Sequence, residues 1–201
     1  MSRRIAWDVL MSVSAGAYAD AALERAFAKN DLNELEKSFV KELSYGSIRY
    51  RYWLDCWIDL LGKVPSQKQP PPLRWLLHLG LYQLLKMEKI PASAAVNKSV
   101  ELIKSSKFAK LSNVVNGLLR SASRKFSSGE KLPVPSLPVK RIAQEYSLPF
   151  WLVQKLLDWR TLEEAEKIAE AFNEVPPIDI RVNRLLTTSE RLIPCFDKVG
   201  I

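Results

Sequence analysis

The stretch Leu73 to Leu85, "LRWLLHLGLYQLL", constrains the fold more than any other part of the chain. Leucines at 73, 76, 77, 79, 81, 84 and 85 leave almost no polar face at helical spacing. A helix that is apolar nearly all round is stable only when other elements surround it. The preceding "QPPPLRW" supplies a stop and then a start, because proline is tolerated in a first helical turn and not in an interior. Arg74, His78, Gly80 and Gln83 interrupt the run, and it is shorter than the ~20 apolar residues that cross a bilayer. It reads as the central helix of a bundle, with no membrane span.

The flanking sequence supplies helices to surround it. Ile5, Val9, Leu10 and Val13 recur at helical spacing, then Leu23 and Phe27, then Leu35, Phe39, Val40 and Leu43, then Leu54, Trp57, Ile58 and Leu61. After Ile90-Pro91 come two short amphipathic helices, with stripes of Ala92, Val96, Val100 and Ile103 and of Leu111, Val114, Val115, Leu118 and Leu119. Residues 1–126 are therefore expected to form an all-α bundle. Gly129 and prolines at 133, 135 and 138 mark 127–140 as a Pro-rich linker. Beyond it, "LPFWLVQKLLDW" and "TLEEAEKIAEAFNE" read as helices. "PPIDIRVNRL" sets Ile178, Ile180 and Val182 against Asp179, Arg181 and Asn183, the period of a strand. Thr187 with Glu190 has the form of a capping box opening one more helix, which carries Pro194 inside it. The fold class is mainly α, with 141–201 as the start of a small α+β subdomain, incomplete within this chain.

Charge narrows the function. Residues 1–130 hold 20 Lys+Arg against 12 Asp+Glu, whereas residues 131–201 hold 10 of each, so the whole excess of +8 lies in the helical part. A basic domain attracts polyanions, and the common cellular ones are nucleic acid and membrane surface. Catalytic and metal chemistry find little support. Cys56 and Cys195 are far apart and outside any CxxC pattern. Cys56 reads as a core residue and Cys195 as a half-buried apolar one. His78, the only histidine, reads as a hydrogen-bonded interior residue. The opening "MSRRIAWDVL" has no signal-peptide form, which makes a cytoplasmic protein the default.

The two helices after Pro91 carry residues that helices do not favour. Asn97 and Glu101 line one, and Asn113, Asn116 and Gly117 lie in the other. Glycine in a helix interior costs on the order of 1 kcal/mol against alanine. The spacing predicts a tight crossing at Gly117, with Asn97 and Glu101 facing Asn113 or Asn116 across a polar seam. Cations surround that crossing: Lys98, Lys104, Lys107, Lys110, Arg120, Arg124 and Lys125, with Arg3 and Arg4 joining if the first helix lies nearby. These are expected to gather into one surface for phosphate oxygens, with asparagine reading base edges or ribose hydroxyls.

The segments "ELSYGSIRYRYWLD", "LHLGLYQLLKMEKIPASAAVNKSVELIK" and "NVVNGLLR" together resemble the NusB-like domain. The version they resemble stands at the N-terminus of bacterial rRNA cytosine-5 methyltransferases of the Fmu/Sun (RsmB) type. "YSLPFWLVQKLLDW", "IRVNRL" and "DKVGI" are similar to the next segment of those enzymes. The resemblance implies an RNA-binding helical bundle with Arg3, Arg4, Lys107, Lys110, Arg120, Arg124 and Lys125 as RNA contacts. It gives Asn97, Glu101, Asn116 and Gly117 an architectural role. It also implies small-subunit rRNA as partner, and S-adenosylmethionine and catalytic cysteines only in a following domain. No GxGxxG loop occurs here, so this chain alone is expected to be inactive and to hold no cofactor. The alternative is a NusB-type transcription antitermination adaptor that binds RNA and a ribosomal protein.

Overall fold

The computed structural model describes residues 1–174 and 179–199. Eleven α-helices and no strand occur among the described residues. The first seven are α1 (Ser2–Ser14), α2 (Ala19–Lys29), α3 (Glu34–Arg49), α4 (Arg51–Leu61), α5 (Pro71–Lys86), α6 (Ala92–Lys104) and α7 (Ser112–Ser127). Pro71 and Pro72 sit in the first turn of α5, where the missing N–H costs nothing. Eleven of the sixteen residues of α5 are buried, because α1, α3, α4, α6 and α7 all pack against it.

The polar residues that interrupt α5 join it to its neighbours. Gln83 accepts from Arg3 Nε of α1 at 2.6 Å and donates to the Leu79 carbonyl at 2.8 Å. Arg74 and the fully buried His78 both reach Asp55 of α4. Gly80 admits neighbouring side chains: a Cβ there would lie 2.7 Å from Leu119 Cδ1 and 3.1 Å from Ser99 Oγ. The close approach expected at Gly117 belongs to Gly80 instead, since a Cβ at Gly117 meets nothing within 4 Å.

The Pro-rich segment is shorter than its composition suggests. Pro138 opens α8 (Pro138–Glu145) as a first-turn proline, and Leu132 packs onto the bundle core. Then come α9 (Phe150–Trp159), α10 (Leu162–Ala171) and α11 (Ser189–Val199). A second small core of Ile142, Ala143, Leu148, Val153 and Ala169 holds α8, α9 and α10 together. Residues 175–178 lie outside the described residues, so the strand expectation is open to description only over 179–182, where the backbone forms no strand. A strand exists only as one side of a ladder, and these residues form none. The helix expected after Thr187 begins two residues later, at Ser189, with Pro194 inside it. The Thr188 backbone carbonyl accepts from the Arg191 and Leu192 amides at 3.2 Å. Cys195 is exposed, a correction to its expected half-burial, because no described element packs extensively over α11.

One hydroxyl fastens the second core to the bundle. Ser147 follows α8 with φ +55°, and the Leu148 amide returns to the Ala143 carbonyl at 3.0 Å in a Schellman closure. Glycine would take that backbone without strain. Serine stands there because its Oγ accepts from the amides of Tyr52 and Trp53 at 3.1 and 3.2 Å. These are first-turn donors of α4, which has no side-chain cap of its own. Ser147→Ala keeps the strain and loses the cap, and is expected to cost about 1–2 kcal/mol. Ser147→Gly relieves the strain and is expected to cost less. Urea denaturation of both checks the order; equal or reversed losses would remove the capping role.

Candidate nucleic-acid interface

Two clefts flank α6. The first, about 550 Å³, lies between α6 and the C-terminal half of α7 and is lined by Ser93, Val96, Asn97, Gly117, Arg120 and Arg124. The missing side chain at Gly117 opens its floor, which accounts for glycine in a helix where nothing of the protein's own presses in. Arg120 Nε donates to Asn116 Oδ1 at 2.9 Å, one turn back on α7. Arg124 touches the Ser121 hydroxyl at 3.3 Å. Neither arginine has an ion-pair partner among the described residues. The polar seam expected between α6 and α7 is absent: no described hydrogen bond joins Asn97 or Glu101 to Asn113 or Asn116. Val96, Ile103, Val115 and Leu119 are buried in the core instead, while Asn97 and Asn113 face solvent.

The second cleft, about 460 Å³, lies between α1 and α6 and is lined by Arg3, Arg4, Phe39, Lys98, Glu101 and Leu102. Arg3 is half-buried beneath it, 5.2 Å from the Phe39 ring centroid, and burial lowers its pKa. Arg4 pairs with Asp8 at 3.4 Å and Lys98 with Glu101 at 2.8 Å. Glu101 thus answers a lysine on its own helix rather than a partner across α7.

The predicted cations therefore do not form one uninterrupted field. Arg120 and Arg124 stand uncompensated in one cleft, whereas in the other Lys98 is paired with Glu101 of the same lining and Arg4 with Asp8 outside it. Lys107 and Lys110 are exposed beyond the end of α6, more than about 10 Å along its axis from Asn97. Lys125 is paired with Glu130. Exposed pairs of this kind contribute about 0–1 kcal/mol, so a phosphate can displace Asp8 or Glu101 at little cost.

The unpaired guanidinium groups beside amides and hydroxyls offer charge and hydrogen bonds to an anion. Burial pushes the Cys56 thiol up to about 11, far from a nucleophile. No group of His, Cys, Asp and Glu among the described residues could hold a metal ion. No described helix is long and apolar enough to cross a membrane. Sequence reading missed the Asp55–Arg74–His78 group, because its members come from two helices and no local spacing links them.

Comparison with known proteins agrees with this architecture. Residues 1–124 match the NusB family and residues 148–201 match the ferredoxin-like domain of RsmF/B-like methyltransferases. The chain is 38% identical over 190 residues to a probable ribosomal RNA small subunit methyltransferase B of Synechocystis sp., covering 93% of this chain and 42% of that protein. It is 33% identical to a probable ribosomal RNA small subunit methyltransferase B of Bacillus subtilis, covering 99% of this chain and 44% of the relative. The crystal structure of PH0851 superposes with a TM-score of 0.68 at 19% identity, over 99% of this chain and 44% of that one. The chain thus spans less than half the length of these relatives. Its basic bundle of seven helices, with α5 at the centre and an RsmF/B-type segment following, belongs to the NusB family.

Proposed function

We propose that this chain is the RNA-docking portion of an rRNA cytosine-5 methyltransferase, and that its partner is small-subunit rRNA. The observation that carries this reading is the α6–α7 cleft, where Asn97 faces two arginines with no carboxylate to neutralise them. Arg120 and Arg124 bind phosphate, Asn97 and the Ser93 hydroxyl offer hydrogen bonds to base or ribose, and Gly117 lets the strand approach the helix backbone. Methyl transfer belongs to a longer protein, as the relatives' names and lengths suggest. In this reading S-adenosylmethionine is bound outside the docking portion, so calorimetry of this chain with the cofactor should give no heat. The setting is cytoplasmic. The adaptor reading is not favoured, since residues 148–201 match a methyltransferase segment.

Arg120→Ala/Arg124→Ala is expected to weaken binding of a small-subunit rRNA fragment about ten-fold or more at low salt. The slope of log affinity against log salt should fall by about 1.4, at roughly 0.7 per phosphate contact on single-stranded RNA. Lys107→Ala/Lys110→Ala, at the far end of the hairpin, should have the smaller effect. Filter binding across a salt series reads both. A parent protein that binds no rRNA fragment even at low salt would overturn the function.

A further inference from the structure

A second concentration of uncompensated charge lies at the junction of α3 and α4. The sequence there is Arg49-Tyr50-Arg51-Tyr52-Trp53, and Tyr50 both ends α3 and begins α4. Lys86, at the end of α5, brings a third cation. Its Nζ lies 4.5 Å from the Tyr50 ring centroid and 4.8 Å from that of Trp53. Arg51 stacks 4.8 Å over Tyr52 and donates to its hydroxyl at 2.9 Å. Tyr50, Tyr52 and Trp53 are all half-buried, with part of each ring open to solvent.

None of Arg49, Arg51 and Lys86 forms an ion pair among the described residues. Two carboxylates of α3 and α4 have partners of their own. Glu42 accepts the Tyr82 hydroxyl, and Asp55 is held by Arg74 and His78. Burial lowers the pKa of Lys86, with no anion to offset it. The amides at the start of α4 are already taken by Ser147, so the charge comes from side chains alone. Three unpaired cations interleaved with three partly open rings suit a ligand that alternates negative charge with flat aromatic surface. Single-stranded RNA has that form. An acidic peptide supplies the charge without the stacking partners.

We propose that Arg49, Arg51 and Lys86, with Tyr52 and Trp53, form a second RNA-contact site separate from the α6–α7 cleft. Phosphates draw Lys86 and Arg51 off the rings, and bases stack where the cations lay. The proposal rests on the RNA-docking reading and extends it to a single-stranded segment.

The test uses a uridine-rich single-stranded 12-mer on the full chain. In Arg49→Gln/Arg51→Gln/Lys86→Gln the affinity at low salt is expected to fall about ten-fold or more. The salt slope should drop by about 2, three contacts at roughly 0.7 each. Ultraviolet irradiation of the parent with the 12-mer should attach RNA to the peptide containing Tyr50 to Trp53, a readout that needs no variant to fold. A parent whose affinity depends on Arg120 and Arg124, with an unaffected triple variant and no such cross-link, would overturn this site and leave the RNA reading standing. A parent that binds no RNA at all would sink both. Displacement of the 12-mer by polyglutamate at equal charge, again with no cross-link, would make the corner an acidic-peptide surface and refute the proposal.

Discussion

Asp55→Ala is expected to cost the bundle about 3–5 kcal/mol, the range for removing one partner of a buried charged pair. Asp55 is nearly buried, accepting from Arg74 Nε at 2.8 Å and from a second Arg74 nitrogen. His78 Nε2 lies 2.8 Å from the same carboxylate. A carboxylate only accepts, so Nε2 carries the proton, leaving Nδ1 as the bare nitrogen, and it has no partner. Alanine at 55 would strand the second ring nitrogen as well, inside a residue with no exposed surface, and would leave the Arg74 guanidinium half-buried without its counter-charge. Denaturation of the variant in urea at pH 7 reads the loss; less than about 1 kcal/mol would show that the three groups do not act together.

The same group sets the response to acid. Burial lowers the pKa of His78, outweighing the pull of Asp55, whose charge Arg74 already offsets. The unfolded chain therefore binds a proton below about pH 6.5 that the folded chain refuses. Stability is fully present above that pH and declines as the solution becomes more acid. Burial pushes the Asp55 carboxyl up, but the hydrogen bonds from His78 and Arg74 together hold it below its ordinary value. Its contribution is complete above about pH 4 and is lost as pH falls through the lowered folded value. His78 is the only histidine. The fall in urea midpoint between pH 7 and pH 5 should therefore be much reduced in His78→Gln, whose amide can still donate to Asp55. An unchanged slope would assign the titration elsewhere.

Gly46→Ala is expected to destabilise by about 2–3 kcal/mol, although alanine is the better helix former by about 1 kcal/mol. A Cβ on Gly46 of α3 would collide with the hydroxyl-bearing edge of the Tyr82 ring of α5. That ring cannot step aside, because its hydroxyl is bonded to Glu42 and its face stacks on Tyr50 at 6.0 Å. Cutting the ring away should restore part of the loss: in a double-mutant cycle, Gly46→Ala should cost less on a Tyr82→Leu background than on the parent. Additive losses would show that the ring is not what excludes the side chain.

The elements were legible wherever one face of a helix is apolar over several turns. α1 to α7 follow the stripes in the sequence, although Leu35 and Val114, counted in those stripes, are exposed, and the prolines before Leu73 mark the start of α5. α8 was hidden because Pro138 reads as a linker residue until its place in a first turn is seen. The site was less legible. Arg120 and Arg124 do share a cleft with Asn97, but Lys125 turns to Glu130 and Lys98 to Glu101. A count of charges along the chain cannot tell which of them a neighbour neutralises. Gly117 stood out as the only glycine among the two amphipathic helices, yet the glycines that neighbouring side chains require are Gly46 and Gly80.

Taken alone, the amino-acid order determined a helical bundle around one apolar helix, its basic character, and its kinship. Each follows from residue type and local spacing, which act over one or two turns. Only the tertiary structure decided that Ser147 caps a helix 95 residues away, that Asp55 joins Arg74 to His78, and which arginines remain free for a polyanion. Those outcomes depend on which helix faces are brought together, and the surfaces that meet are distant in the chain, so no local period records them.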